Sequence, residues 1–339
     1  MSSKQVINQL DMLRSYSSAF SRSAITDIIK YEDYSHLGGL YSEYGSKRKS
    51  VASYGEYLKS LYLEMVKNYR CEYVFKNELV GYIIKHYKKT NTVTYNELRV
   101  GKSIVDIAVF NGESSAFEIK TEFDTPRRLE KQLEDYQRLF DKCYVVVPKE
   151  KVSDYIRCVD ERIGVMSLSK SRKGIFIHTV REAVLNETID SDLLISCLRT
   201  KEYEQVIKDF FGDLPDVSSY EMYDKCKEMM RAIPSGVLKS TFCKMMKKRK
   251  ANVEGLADVP IELRQISLSL NLLPKDVSLL LNRLEKKCEY CKKIGADGIS
   301  FASSLDKNGI NYVLFNQDDA KCKRVKSRTI EEITIRAKK

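Results

Sequence analysis

No apolar run in the 339-residue chain approaches the roughly 20 residues that a membrane helix needs, so a membrane-spanning protein is excluded. The start, Met1-Ser2-Ser3-Lys4-Gln5-Val6, lacks an apolar stretch ahead of a small-residue cleavage site. No secretory leader is read there, and the expected compartment is the cytoplasm. Histidine is scarce: His36, His86 and His178 lie far apart and form no recognisable metal-ligand or triad set. The pattern G-x-x-x-x-G-K-S/T that cradles nucleotide phosphates is missing, so no nucleotide cofactor is implied. The nine cysteines are odd in number and lack framework spacing, which fits free thiols in a reducing compartment better than a disulfide scaffold. Cys288 and Cys291 form a C-x-x-C, but no second pair has the spacing of a zinc site. There is no internal repeat or low-complexity tract. What is present is an ordinary globular composition, 43% hydrophobic and 31% charged, in a chain about twice the ~150-residue domain average, so one large or two modest domains are expected.

Positive charge is in surplus, with 58 basic against 47 acidic residues and a formal net charge of +11. Much of the excess is local. Lys225, Lys227, Arg231, Lys239, Lys244, Lys247, Lys248, Arg249 and Lys250 are accompanied by a single acid, Glu228. Such a segment can neutralise phosphates and release counterions, or it can be a solvated basic helix end. Met229, Met230, Val237, Leu238, Phe242, Met245 and Met246 recur through it at near-helical spacing, which makes it a folded amphipathic element.

Residues 1–70 read as a helical N-terminal region, with Tyr54, Tyr57, Leu58, Leu61, Tyr62 and Met65 at three- and four-residue intervals. The many tyrosines here suit half-buried packing better than stacking on bases. A helix from Val74 to Lys88 is followed by three strand-like segments, Thr92 to Val100, Ser103 to Phe110 and Ser114 to Thr121. Gly101-Lys102 and Asn111-Gly112 between them are hairpin turns. A helix opens at Asp124-Thr125-Pro126 and runs to Phe140. Cys143 to Val147 is a continuous apolar run typical of a strand covered on both faces. Gly164 to Leu168 and Gly174 to Thr179 extend this α/β unit, 71–180, and the remainder, 181–339, reads as a mainly helical basic region. Tyr312 to Phe315 and Ile330 to Ile335 suggest a small strand pair near the end. Leu263 to Leu273 and Asp276 to Lys287 could form a helix-turn-helix fragment, although helical core is the stronger reading.

A two-residue turn at Gly101-Lys102 places Glu97 opposite Asp106, and a three-residue Asn111-Gly112-Glu113 loop brings Asp106 opposite Glu118. Converging carboxylates repel one another unless a cation or proton lies between them. Oxygen ligands of this kind suit Mg²⁺ or Mn²⁺, with the ammonium of Lys120 beside them.

Asp106 and Glu118-Ile119-Lys120 on successive strands, within the order helix, three antiparallel strands, helix, strand, resemble the PD-(D/E)xK phosphodiesterase superfamily. Gln132 and Tyr136, one helical turn apart, are similar to the Q-x-x-x-Y motif of its RecB-like branch. The resemblance, strongest over residues 70–180 and extending to a group of uncharacterised bacterial proteins, implies a restriction-endonuclease-like α/β core flanked by helical regions. It implies a Mg²⁺- or Mn²⁺-dependent nuclease, a deoxyribonuclease rather than a ribonuclease. Asp106, Glu118, the carbonyl of Ile119 and Glu97 would hold the metal, with Glu78 as the alternative further acid. Lys120 would assist water, and Gln132 and Tyr136 would orient the site. Phage defence, mobile-element maintenance and repair are compatible settings. Arg127, Arg128, Lys131, Lys244, Lys247, Lys248 and Arg249 are the candidates for gripping nucleic acid. The rivals are a nucleic-acid-binding module that keeps the scaffold without cleaving, and a DNA-binding regulator that uses helices in 225–290. No membrane partner is expected, and oligomeric state is not legible.

Overall fold

A computed structural model describes residues 3–44, 51–87, 92–171, 174–249 and 253–288, together with three short strands within 302–327. Among the described residues, no helix is long and apolar enough to cross a membrane. The chain divides into two compact units, one of residues 1–69 with 274–339 and one of residues 70–273.

The first unit packs helices α1 (Ser3–Ser18), α2 (Arg22–Tyr31), α3 (Ser35–Tyr44) and α4 (Tyr54–Asn68) with α14 (Pro274–Leu284). Its tyrosines are largely core: Tyr16, Tyr34, Tyr54, Tyr57 and Tyr62 are buried. The rings of Tyr34 and Tyr54 stack at 4.0 Å, and the Tyr34 hydroxyl donates to the carbonyl of Arg283 at 2.8 Å. Arg283 in turn donates to the carbonyls of Ile28 and Ile29 in the C-terminal turn of α2. Three strands, β7 (Ala302–Leu305), β8 (Asn311–Phe315) and β9 (Lys323–Ser327), form an antiparallel sheet. The expected strand at Ile330 to Ile335 and the second cysteine of the C-x-x-C, Cys291, lie outside the described residues.

The second unit is built on α5 (Glu72–His86) and six strands in chain order: β1 (Val93–Val100), β2 (Ser103–Phe110), β3 (Ser114–Ile119), β4 (Lys142–Pro148), β5 (Gly164–Ser171) and β6 (Gly174–Arg181). The first three pair antiparallel, β3, β4 and β5 run parallel, and β6 returns antiparallel. Both hairpins have the expected register. Val100 pairs with Ser103 across Gly101, whose φ of +59° suits a tight turn, and Phe110 pairs with Ser114. The parallel pairs require crossovers. These are α6 (Leu129–Gln137) and α7 (Val152–Cys158), the second of which is too short to show a period in the sequence.

One hydrophobic core joins Ala108, Phe110, Ala116, Val145 and Val147 of the sheet to Leu133 and Tyr136 of α6 and to the C-terminal helices. Those helices are α8 (Ser191–Cys197), α9 (Thr200–Phe211), α10 (Met222–Met230) and α11 (Ser235–Arg249). Phe242 of α11 meets Phe110 edge-on at 5.1 Å. Ile107, Val109, Phe117 and Val146 alternate with the first set and are also buried, so the central strands are covered on both faces. α5 and the short α13 (Arg264–Ser269) pack on each other, with α5 against β3 and α13 against β1. α12 (Val253–Leu256) completes the helices. The single helix expected from Leu193 to Phe211 is broken at Leu198-Arg199. There the Glu202 carboxylate accepts the Arg199 amide at 2.7 Å and starts α9 afresh.

Candidate nucleic-acid interface and the buried acidic cluster

The acidic residues converge, but each meets a protein cation. Pairing on either side sets Glu97 across from Asp106, and Glu97 itself adopts a left-handed φ of +55° and drops out of the ladder. Lys76, on the inner face of α5 and only 4% exposed, lies between them. Its ammonium is 2.6 Å from Glu72, 3.3 Å from Glu97 and 3.2 Å from Asp106 Oδ1. Asp106 Oδ2 accepts the Ile119 amide at 2.8 Å. The Lys120 amide extends the β3–β4 ladder by donating to Val146, which brings its ammonium to 2.7 Å from Glu118 Oε1 and 3.1 Å from Gln132 Oε1. The Tyr136 hydroxyl lies 2.8 Å from Glu118 Oε2 and 2.6 Å from the Ile104 carbonyl. A hydroxyl has one proton to give, so both Tyr136 contacts are hydrogen bonds only when Glu118 is itself protonated.

Burial pushes the carboxyl groups of Asp106 and Glu118 above the usual carboxylate range, and the charge of Asp106 adds to the rise at Glu118. Lys76 and Lys120 oppose it. Burial also works against the Lys76 ammonium, but Asp106, Glu72 and Glu97 outweigh it and hold the lysine charged above its ordinary value. Tyr136 is pushed well up by burial and by Glu118.

All four oxygens of Asp106 and Glu118 thus have an N–H or O–H hydrogen-bonding partner within the protein. The donor set does not fit the Mg²⁺ or Mn²⁺ expected there, and among the described residues no group of three or more His, Cys, Asp or Glu could hold a metal ion. Glu78 is half-buried on α5, and Lys76 of the same helix reaches Glu97 and Asp106. Sequence reasoning missed Lys76 because one lysine on an amphipathic helix reads as solvent-facing.

The basic segment is less free than its composition suggests. Lys225 pairs with Glu228, Lys227 and Arg231 with Asp192, and Lys239 with the buried Asp141 at 2.7 Å. Arg249 pairs with Glu202 and donates to the Cys197 carbonyl at 2.8 Å, tying α11 to the break between α8 and α9. Lys244 and Lys248 are different. They lie four apart on the solvent face of α11, exposed in line with Val237 and Ser240, and neither has a carboxylate within ion-pair distance among the described residues. Lys247 is half-buried beside them. Arg127 and Arg128, in the turn just before α6, and Lys131 in its first turn are likewise exposed and without an ion pair among the described residues. α13, one half of the considered helix-turn-helix fragment, buries Gln265, Ile266, Ser267, Leu268 and Ser269, leaving little of it to enter a groove.

The fold and its charged surfaces define a mixed α/β protein with a neutralised polar cluster and a separate exposed basic helix face. Residues 65–273 match the family model of bacteriophage P4 protein cII, and the chain belongs to that family. Protein cII of Enterobacteria phage P4 is 23% identical over 157 residues, 46% of this chain; the match spans 58% of that relative's length. Among solved structures, a protein of unknown function from Silicibacter pomeroyi, SPO1766, is similar at 14% identity and a TM-score of 0.28, over 43% of this chain and 94% of that one. A likeness at that score carries no argument about the fold.

The family overturns the nuclease resemblance. The matched region contains the whole of the segment, residues 70–180, that suggested it, and the family is that of bacteriophage P4 protein cII, with no nuclease family indicated. The reading as a PD-(D/E)xK enzyme, a Mg²⁺-dependent phosphodiesterase, hydrolase or endonuclease, is corrected accordingly. With it go the magnesium and metal-binding assignments drawn from Asp106, Glu118, Ile119 and Glu97. The physical basis of the false likeness is plain: the same polar residue types that hold a metal in one setting here close on lysines and a tyrosine.

Proposed function

We propose that this protein is a DNA-binding regulatory protein that does not cut its target and holds the DNA backbone through the solvent face of α11. The observation that carries the reading is the pair of exposed cations Lys244 and Lys248, without an ion pair among the described residues on one helix face while Lys239 and Arg249 of the same helix are consumed by Asp141 and Glu202. A basic helix face anchored from behind by Phe242, Met245 and Met246 presents its charges in a fixed direction, as backbone recognition needs. Membership of a phage protein family is compatible with a DNA partner. The finer architecture belongs to the same proposal: the order helix, three antiparallel strands, helix, strand serves as a restriction-endonuclease-like scaffold for binding, in a protein that acts in the cytoplasm. The free state of the seven cysteines among the described residues agrees with that compartment.

The test is fluorescence anisotropy with a labelled duplex across a salt series. Replacing both Lys244 and Lys248 by Ala should weaken binding to every sequence alike and reduce the slope of log K against log salt by about 2, since each phosphate contact contributes about 0.9. The duplex should remain intact throughout. Unchanged affinity and slope in the double variant would place the DNA elsewhere.

A further inference from the structure

The end of α9, the connection that follows it and the first turn of α10 invert the charge of the rest of the chain. From Asp209 to Asp224 there are five acids, Asp209, Asp213, Asp216, Glu221 and Asp224, and no lysine or arginine, in a protein whose formal net charge is +11. All five are exposed, and none has an ion-pair partner among the described residues. The same stretch exposes aromatic side chains. Phe210 and Phe211 are each 42% exposed, with ring centroids 4.9 Å apart, and Tyr220 is 94% exposed. Tyr223 is exposed at its edge while its ring leans on the buried Tyr203 at 5.7 Å, so the base of this surface is fixed to the core.

Two costs are left standing. Adjacent phenylalanines in water forgo the burial that drives folding. Carboxylates with no opposing charge repel one another along the loop. Both costs are relieved by the same occupant, one that brings positive charge and apolar side chains together. Nucleic acid brings aromatic stacking surface but adds phosphates to carboxylates, so it is disfavoured. We propose that residues 209–224 form a docking surface for a basic amphipathic segment of a partner protein, with Phe210 and Phe211 receiving its apolar side chains and the five acids its lysines or arginines. This surface is separate in sequence from the α11 face and opposite to it in sign.

The experiment uses the full-length protein and two labelled peptides of about 16 residues with the same lysine content. One carries Leu at helical i, i+4 spacing, and the other carries Ser at those positions. The Leu peptide should bind about tenfold more tightly than the Ser peptide, since one or two buried leucines contribute at least that much. Phe210→Ser with Phe211→Ser should abolish the preference, while Asp213→Asn with Asp216→Asn should weaken both peptides and flatten their salt dependence. Circular dichroism melts confirm that each variant folds, and DNA affinity should be unchanged in all of them, which keeps this result independent of the α11 proposal. Equal binding of the two peptides, or a preference that survives loss of both phenylalanines, would reduce the surface to a nonspecific polyanion and overturn the assignment. Self-association of the wild type that disappears in the phenylalanine variant would overturn it in favour of a second copy.

Discussion

At the scale of single residues, Lys76 is the side chain on which the polar cluster depends. It is buried, and three carboxylates, Glu72, Glu97 and Asp106, share its charge. Lys76→Met keeps the bulk and removes the charge, stranding Asp106 in a site whose burial already raises its pKa. Breaking a buried pair by deleting one partner costs about 3 kcal/mol or more, so urea unfolding at neutral pH should show a loss of that order. The pH dependence has a definite sign. Without Lys76 the folded-state pKa of Asp106 rises further above its unfolded value, so the carboxyl's contribution is fully present at acid pH and lost as pH rises through the folded pKa. The deficit of the variant relative to wild type should therefore be largest near neutrality and shrink toward the acid end of the titration. A deficit independent of pH would mean that Lys76 contributes by packing alone.

At the scale of elements, close approach of strands and segments sets the most demanding positions. Gly164 opens β5 beside Tyr144 of β4; a Cβ there would lie 2.3 Å from a Tyr144 ring carbon and 2.9 Å from the backbone nitrogen of Ala183. The ring of Tyr144 is stacked on Phe117 and its hydroxyl is bonded to Glu182, so it has little freedom to yield. Gly164→Ala should cost about 2 kcal/mol, within the usual range for overpacking, read as a lowered urea midpoint at unchanged m-value. The elements that sequence made legible are those governed by local rules. The turns at Gly101-Lys102 and Asn111-Gly112, the six strands and the N-terminal helices all follow from turn chemistry and period. What escaped is set by partners distant in the chain. The break before α9 depends on Glu202, which Arg249 also holds, and the buried Asp141 is explained only by Ser114 and Lys239. The acidic cluster was legible as a convergence of residue types, but its chemistry turned on Lys76, whose burial no local pattern announces.

At the scale of the whole molecule, the question is how much of the positive surplus is available to phosphate. Of the seven residues that sequence nominated for gripping nucleic acid, Arg127, Arg128, Lys131, Lys244 and Lys248 are exposed and have no ion pair among the described residues, Lys247 is half-buried, and Arg249 is bound to Glu202. If all five free cations touch phosphates, the slope of log K against log salt should be about −4 to −5, given about 0.9 per contact on duplex DNA. A slope near −8 would mean that further cations, those of the ion-paired 225–250 segment or others on the surface, reach phosphate on binding. Arg249 separates the two cases. Its guanidinium is bound to Glu202 and to the Cys197 carbonyl, which makes it a structural cation, and the hydrogen bonds to Glu202 hold it above its ordinary pKa against the opposing effect of burial. Arg249→Met should therefore lower unfolding stability by about 3 kcal/mol, the cost of stranding a largely buried Glu202, and leave the salt slope of the folded protein unchanged. A slope that drops by about 1 in this variant would instead count Arg249 among the phosphate contacts, one unit per lost contact being the expected signature.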